Sequence, residues 1–274
     1  MGPRRSKSSL ATLTRISAAA GLCILSGCGG GVPLLHPAHV LPAGRTAFSV
    51  GVSDRFLLGD TQRALEEGLQ PPPPGTPPEK DARAARGAVV ALVEGPAVAA
   101  FAAARVGVPG SNEAGLSYSG QALRADFRHA FDWGDYALST GLGVTGRFGH
   151  TSAELPPNAD SSGAHGLGLD LPILFGYRTD AELISVWGGV RGSFDHWSGT
   201  VSLDPSSAFD LGARRWSVGP ILGMSLGLPP FWVSAEIEID YAHVSGSLER
   251  PGTRYDATLD GWSARPAGAL TAKF

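Results

Sequence analysis

Apolar residues occupy every second position over several long stretches of this chain. In Tyr136–Phe148 the bulky residues fall at even positions, whereas the odd positions hold only Ala, Ser, Gly, Thr and Arg. The same alternation recurs in residues 163–178 and in Phe231–Tyr241. A period of two predicts β-strands with one apolar face. Each stretch has ten or more residues, and tilted membrane-spanning strands need about 9–11, whereas strands of soluble proteins have about 5–6.

The connections between these stretches alternate in length. Those near residues 131–134, 178–182 and 228–230 are short, whereas those near 150–162, 197–210 and 246–257 are long and rich in Pro, Ser, Gly and Asp. Outer-membrane barrels have short periplasmic turns and longer external loops. We therefore predict an all-β fold, a single antiparallel transmembrane β-barrel of about ten strands, within a range of 8–12. The predicted strands are 45–57, 96–107, 113–119, 122–131, 135–149, 163–177, 183–196, 211–227, 230–245 and 258–274.

The strand count depends on residues 113–131. If this stretch breaks near Gly120-Gln121 it holds two strands, the total is ten, and both termini lie in the periplasm. If it is one strand, the total is nine, and the N-terminus would lie at the cell surface. A soluble β-sandwich is the competing fold, but its strands would have to break more often than this pattern does.

An insertion at about residues 59–94 interrupts the pattern between the first two strands. Asp60–Gly68 is predicted as a short helix with Asp60 as N-cap, Pro71–Pro78 as extended chain and Glu79–Glu94 as a second helix. The insertion is either an external cap or a plug in the lumen. An alternative interpretation of Ala88–Ala104 as a transmembrane helix conflicts with the interruption at Glu94-Gly95-Pro96.

The N-terminus has the features of an export signal. A basic region is followed by a short apolar run that ends in Leu25-Ser26-Gly27-Cys28. This motif resembles the lipobox of bacterial lipoproteins, in which the cysteine becomes the lipid acceptor. The predicted organisation is a signal peptide at 1–27, a lipidated tether at 28–43 and a barrel at 44–274. An ordinary secretory signal, cleaved elsewhere, is the alternative.

Charge and cysteine content narrow the possible functions. Removal of residues 1–27 leaves 18 Lys and Arg against 25 Asp and Glu, a formal charge of −7. An acidic chain of this kind is not expected to bind nucleic acid. Cys23 lies in the predicted signal, so the mature chain has a single cysteine and no internal disulfide. No dinucleotide or phosphate-binding motif is present, the histidines lack metal-site spacing, and no cofactor or metal is predicted.

Taken together, these features resemble small lipobox-bearing outer-membrane β-barrels of the kind found in myxobacteria-like genomes. The resemblance spans residues 28–274 and implies contact with outer-membrane lipid. It also implies that the barrel-assembly machinery recognises the C-terminal strand, and it suggests a monomer with no defined activity. The segments that carry it are Leu25-Ser26-Gly27-Cys28, Val40-Leu41-Pro42-Ala43-Gly44, the turn from Arg105-Val106-Gly107 to Asn112-Glu113, and Ala269-Leu270-Thr271-Ala272-Lys273-Phe274.

The inward face of the predicted barrel is rich in charge. Because ten strands enclose a narrow lumen, these side chains are expected to form ion pairs that close it. The alternative is a narrow passive pore for small solutes, with Glu236, Glu238 and Asp240 as an acidic track. The inward charges are Arg124, Asp126, Arg128, Arg147, Asp170, Arg191, Arg215, Glu236, Glu238, Asp240 and Arg265.

One enzyme hypothesis arises from Asp195-His196-Trp197-Ser198. His196 and Ser198 share a strand face and could act as base and nucleophile, with Asp210 as the orienting acid. This arrangement resembles the His-x-Ser element of outer-membrane lipid A deacylases. The main expectation is nevertheless a non-enzymatic, lipid-anchored barrel with a structural or surface-interaction role.

Overall fold

An antiparallel β-sheet that closes on itself makes up most of the computed structural model. The structure describes residues 32–71, 73–76, 82–95, 98–148, 160–179, 182–204 and 207–274. The predicted signal peptide and Cys28 therefore lie outside the described residues. The elements in chain order are β1 Thr46–Ser53, β2 Phe56–Gly59, α1 Asp60–Leu69, α2 Ala82–Glu94, β3 Ala99–Val108, β4 Asn112–Tyr118, β5 Ala122–Trp133, β6 Tyr136–Phe148, β7 Asp160–Arg178, β8 Ile184–Asp204, β9 Ser207–Leu228, β10 Phe231–Arg250 and β11 Thr253–Lys273.

The barrel closes between its first and last strands. β1 pairs with β3 on one side and with β11 on the other, where Ala47 lies opposite Lys273. β2 continues along the same strand, with Leu58 opposite Trp262. β1 and β2 are therefore two parts of one strand, and ten positions surround the lumen. The predicted barrel of about ten strands is confirmed, including the break near residue 120 that separates β4 from β5.

The two ends of the barrel differ. At what we call the terminal end, tight turns at 109–111, 134–135 and 229–230 lie beside Phe274. At the opposite or far end, β7–β11 continue well beyond the other strands. The predicted long loops at 197–210 and 246–257 are wrong, because β8, β9, β10 and β11 extend through these residues. β10 and β11 meet at a tight turn at residues 251–252.

In the parts of β7–β11 that extend beyond the other strands, the polar side chains face outward and the apolar side chains face inward, the reverse of the pattern in the rest of the barrel. Their outward positions carry Ser, Thr, Asp and Arg, which is why the sequence resembles loops there. Their inward positions are apolar and pack against α2, whose residues from Ala84 onward are buried except Arg86. Helix α2 of the insertion thus lies inside the far end of the barrel, whereas α1 buries only Thr61, Ala64 and Gly68. The inward apolar side chains are Trp197, Val201, Leu203, Phe209, Leu211, Val244 and Leu248.

The apolar run at residues 88–104 is divided between a helix and a strand. Residues 88–104 are the end of α2 and most of β3, so the alternative interpretation of this run as one helix is wrong. Within the described part of the chain, no helix is both long and apolar enough to cross a membrane.

Two glycines set the distance between α1 and α2. A Cβ added to Gly68 would lie 2.7 Å from Cα of Gly87, and one added to Gly87 would lie equally close to Cα of Gly68. Both contacts are with backbone atoms, so neither can be relieved by a side-chain rotation. The helices can therefore pack this closely only while both positions lack side chains.

Gly87→Leu is expected to separate α1 from α2 without dissolving the barrel wall. Overpacking at such a contact costs about 1–3 kcal/mol. We expect faster proteolysis between the helices while the folded barrel still migrates differently in unheated and boiled samples. Arg86→Leu, at an exposed neighbouring position, is the control. Equal protease sensitivity of the two variants would contradict the close contact.

Candidate functional site

The outer wall of the barrel carries an apolar belt bounded by aromatic side chains. On β9, midway between Trp216 and Leu228, Leu222 is 64% exposed. At the far edge of the belt, Tyr241 contacts both Trp216 and Trp262, with ring centroids 5.8 and 5.5 Å apart. At about 3.3 Å per residue and a tilt of about 40°, the residues from Trp216 to Leu228 span about 30 Å. The terminal edge of the belt includes Trp133, Tyr136, Phe231 and Phe274, which are all exposed.

Inside this belt, the lumen holds a continuous network of ion pairs. Eight arginines and seven acids are linked, each through at least one N···O distance of 3.4 Å or less. The pairs run without interruption from the terminal end to α2. The members are Arg55, Arg105, Arg124, Arg128, Arg147, Arg191, Arg215, Arg265, Glu94, Glu113, Asp126, Asp170, Asp195, Glu238 and Asp240.

Arg215 is the most connected cation of the network. Its guanidinium donates to Asp240 at 2.7 Å, to Glu94 at 2.9 Å and to Asp195 at 3.4 Å. It also donates to the hydroxyls of Ser193 and Ser217. Because Glu94 ends α2, this arginine joins the barrel wall to the inserted helix.

Asp170 joins the two halves of the network. Arg124 donates to both of its carboxylate oxygens, at 2.9 and 3.0 Å, in a bidentate contact. From the other side, Nε of Arg191 donates to Asp170 at 3.2 Å. Bidentate guanidinium–carboxylate pairs are among the strongest polar contacts in proteins. Glycines opposite the network provide the space, since a Cβ on Gly143 would lie 2.3 Å from the Asp170 carboxylate.

The structure places all eleven predicted inward charges in the lumen. Ten of them belong to the network. The eleventh, Glu236, instead accepts hydrogen bonds from backbone N–H groups and from the Trp187 indole.

Five network members were not predicted from the sequence. Asp195 and Arg105 lie on strands, and the alternation of β8 puts Asp195 in phase with Arg191, so the pattern could have indicated it. Arg55 lies at the break between β1 and β2, and Glu94 ends a helix. A period-two pattern carries no information on either position. Glu113 lies one residue into the short strand β4.

The N-terminal segment of the barrel lies inside the lumen. Residues 32–43, interpreted above as part of a tether, enter at the terminal end and reach the level of Arg191. These residues lie in the lumen, and not outside the barrel as a free tether would, because their backbone groups form hydrogen bonds with charged side chains of the lumen. Burial, together with the charge of Arg178, lowers the pKa of His39 to about 4. A cavity of about 50 Å³ remains between this segment and the wall, room for a few water molecules.

The predicted catalytic residues lie on the outside of the barrel. His196, Ser198 and Asp210 face outward on β8 and β9, beyond the aromatic edge of the belt. His196 is opposite Arg214, and Asp210 is opposite Thr200. The Ser198 hydroxyl lies 3.2 Å from Nε2 of His165 on β7. The structure therefore pairs Ser198 with a histidine other than the predicted one.

Over the residues that the structure describes, no group of three or more His, Cys, Asp and Glu side chains could hold a metal ion.

Comparisons with known proteins return structures only. No protein-family model and no curated protein matches the chain. Among solved structures, the attachment invasion locus protein Ail of Yersinia pestis is 11% identical, with a TM-score of 0.32, and the match covers 85% of this chain and 99% of Ail. Neisserial surface protein A is 10% identical, with a TM-score of 0.33, over 84% and 99% of the two chains. The translocator domain of the autotransporter NalP from Neisseria meningitidis is 11% identical, with a TM-score of 0.34, over 96% and 98%. The function of the present chain must therefore be argued from its own residues.

Proposed function

We propose that this protein is a monomeric outer-membrane β-barrel, lipid-anchored through Cys28, whose lumen is closed and whose far end serves a structural or surface-interaction role. The observation that carries the proposal is the lumen network, which is flanked by a buried peptide segment at one end and a buried helix at the other. Outer-membrane lipid and the barrel-assembly machinery are the proposed partners.

Membrane insertion is supported by the height and composition of the outer wall. A belt of about 30 Å matches the hydrocarbon core of a bilayer, and aromatic residues at both edges are typical of membrane–water interfaces. Monomeric soluble proteins rarely expose contiguous apolar surface of this extent. The outward positions beyond Trp216, such as Arg214 on β9 and Asp260 on β11, are exposed and polar.

Closure of the lumen is supported by the pairing of its charges. A buried ion without a partner costs several kcal/mol, so a dry lumen must pair its arginines and acids. Arg191 illustrates the density of these pairs, because it donates to Asp170, to Glu238 and to the Val32 carbonyl. A passage for solutes would require several of these pairs to break at once.

A surface role is supported by the extension of β7–β11. From Phe194 to Leu203, β8 rises about 23 Å beyond the aromatic edge. The extension has its own apolar core with α2, and its outer face is polar and accessible. Such a rigid, water-facing ribbon suits contact with other macromolecules better than it suits transport.

Planar-bilayer conductance is the test of this proposal against the passive pore. Folded wild-type protein is expected to show no stable open channel, because the ion-pair network closes the lumen and α2 fills its far end. A variant in which residues 60–95 are replaced by a short Gly-Ser linker loses α2 and Glu94, and we expect it to show intermittent openings. A variant that shortens only residues 71–78 is the control and should stay closed. A heat-shifted gel band must first show that each variant is folded.

Stable, stepwise conductance of folded wild-type protein would favour the pore. Location is tested separately by fractionation. The wild-type protein should partition with the outer membrane and show heat-modifiable migration, whereas release by salt without a heat shift would contradict membrane insertion.

A further inference from the structure

The lumen holds residues 32–41 through their backbone. Both carboxylate oxygens of Glu236 accept from consecutive N–H groups, those of Leu34 at 2.9 Å and Leu35 at 3.0 Å. Arg128 donates to the carbonyls of Pro37 and His39. At the two ends of the segment, Arg191 donates to the Val32 carbonyl, and the Leu41 N–H donates to Glu113.

The side chains of the segment are mostly apolar and supply shape. Leu34 and Ala38 pack in an apolar pocket with Leu174 and Trp187. Nδ1 of His36 and both ring nitrogens of His39 are buried and have no hydrogen-bond partner in the described structure. The polar recognition is therefore of a turned peptide backbone, in which the positive φ of Leu35, 45°, lets two consecutive N–H groups point at one carboxylate.

Glu236 gives this site two acceptor oxygens that the peptide N–H groups satisfy. It is the one predicted inward charge outside the ion-pair network, and its carboxylate is buried. Without the segment it would retain only the Trp187 indole, at 3.1 Å. A buried carboxylate stripped of two N–H donors is costly, so an empty site would favour the binding of another peptide segment that presents two consecutive N–H groups.

We propose that the terminal half of the lumen is a binding site for a peptide segment, that residues 32–41 are its displaceable occupant, and that a lipid on Cys28 embedded in the bilayer withdraws them. The last part rests on the lipid anchor proposed above. The two roles of the segment compete because the same few residues cannot both line the lumen and reach the membrane.

The chain between Cys28 and Val32 is too short for both roles at once. Val32 lies at the level of Arg191, seven residues along β8 from Ile184 and so about 18 Å above the terminal end of that strand. Cys28 is four residues from Val32 and can lie at most about 14 Å from it. A lipid attached there cannot pass out of the mouth and around the rim while Val32 keeps this position.

A disulfide across the lumen reports whether the segment is inserted. A Cβ on Gly176 would lie 2.9 Å from the Cβ of Ala38, so Ala38→Cys with Gly176→Cys brings two thiols together. The pair is compared in two full-length forms. One carries the native N-terminus with Cys28, and the other has Cys28→Ala and an ordinary cleavable signal in place of residues 1–27. Mass spectrometry of the N-terminal peptide establishes whether Cys28 carries a lipid.

The expected result is nearly complete disulfide formation in the Cys28→Ala form and at least tenfold less in the lipidated form. Complete formation in the lipidated form would overturn the proposal, as would failure to form in a folded Cys28→Ala form. If Cys28 carries no lipid, the lipid anchor of the proposed function is wrong, and the disulfide should then form in both proteins. Ala137 lies opposite Gly176, so Ala38→Cys with Ala137→Cys replaces the first pair if Gly176→Cys prevents folding.

Binding of a synthetic peptide with the sequence of residues 32–43 is the second measurement. It should bind the lipidated protein at least tenfold more tightly than the Cys28→Ala form, whose site is occupied. N-methylation at Leu34 and Leu35 should weaken binding at least tenfold, because it removes both donors to Glu236. Replacement of His36 by Ala in the peptide should change binding less than threefold. Equal binding of the methylated and unmethylated peptides would overturn the backbone site.

Discussion

Arg215→Ala is expected to lower the unfolding free energy by about 3–5 kcal/mol, the cost of removing one partner from buried ion pairs. Three carboxylates, those of Glu94, Asp195 and Asp240, each lose one of their arginine partners. Each of these buried carboxylates would then keep a single arginine, Arg55, Arg147 or Arg265 respectively. Denaturant unfolding of protein folded into lipid vesicles, followed by tryptophan fluorescence, measures the change.

The adjacent residue provides the control. Arg214 has the same side chain but faces outward and is exposed beyond the aromatic edge, so Arg214→Ala should change stability by no more than about 0.5 kcal/mol. Similar unfolding midpoints for the two variants would mean that the ion pairs do not stabilise the barrel.

Leu222→Arg should destabilise the protein in lipid vesicles by about 2–4 kcal/mol, the cost of a cation on the lipid face near the bilayer midplane. Leu222 lies midway between Trp216 and Leu228 on β9, at the centre of the apolar belt. The unfolding free energy in vesicles should fall with little change in the structure of the lumen, because the substituted side chain points away from it.

Asp210→Arg is the matched control for this substitution. Asp210 has the same orientation on the same strand but lies beyond the belt, so the same new side chain should cost less than about 0.5 kcal/mol there. Equal losses at the two positions would show that the belt is not in contact with hydrocarbon.

The alternation of side chains was sufficient to predict the barrel wall. Each strand from β3 to β11 includes most of a predicted strand, and the inward phase placed Arg124 and Asp240 in the lumen. This success has a simple cause, since a membrane-facing strand must be apolar on one side along its whole length. The pattern failed where the environment changes along a strand. In β8 beyond Phe194, water replaces lipid outside and a helix replaces charge inside, so Trp197 and Val201 become the buried residues.

The contents of the lumen were harder to predict. Nothing in residues 32–41 marks them as luminal, because their hydrogen bonds to the barrel wall are made by backbone atoms that every residue possesses. Glu94 ends a helix whose position depends on the apolar inner face of distant strands. Both depend on contacts between residues far apart in the chain, and a local pattern does not record such contacts.

The ion pairs of the lumen, traced as a graph, branch but never form a ring. Every link is therefore the only route between the parts it joins, and Asp170 is the single joint between a group of five charges at the terminal end and a group of nine toward the far end. Each group has one more arginine than acids. The barrel thus contains two groups of ion pairs that are joined through one carboxylate, so a substitution within either group leaves every ion-pair partner in the other group unchanged.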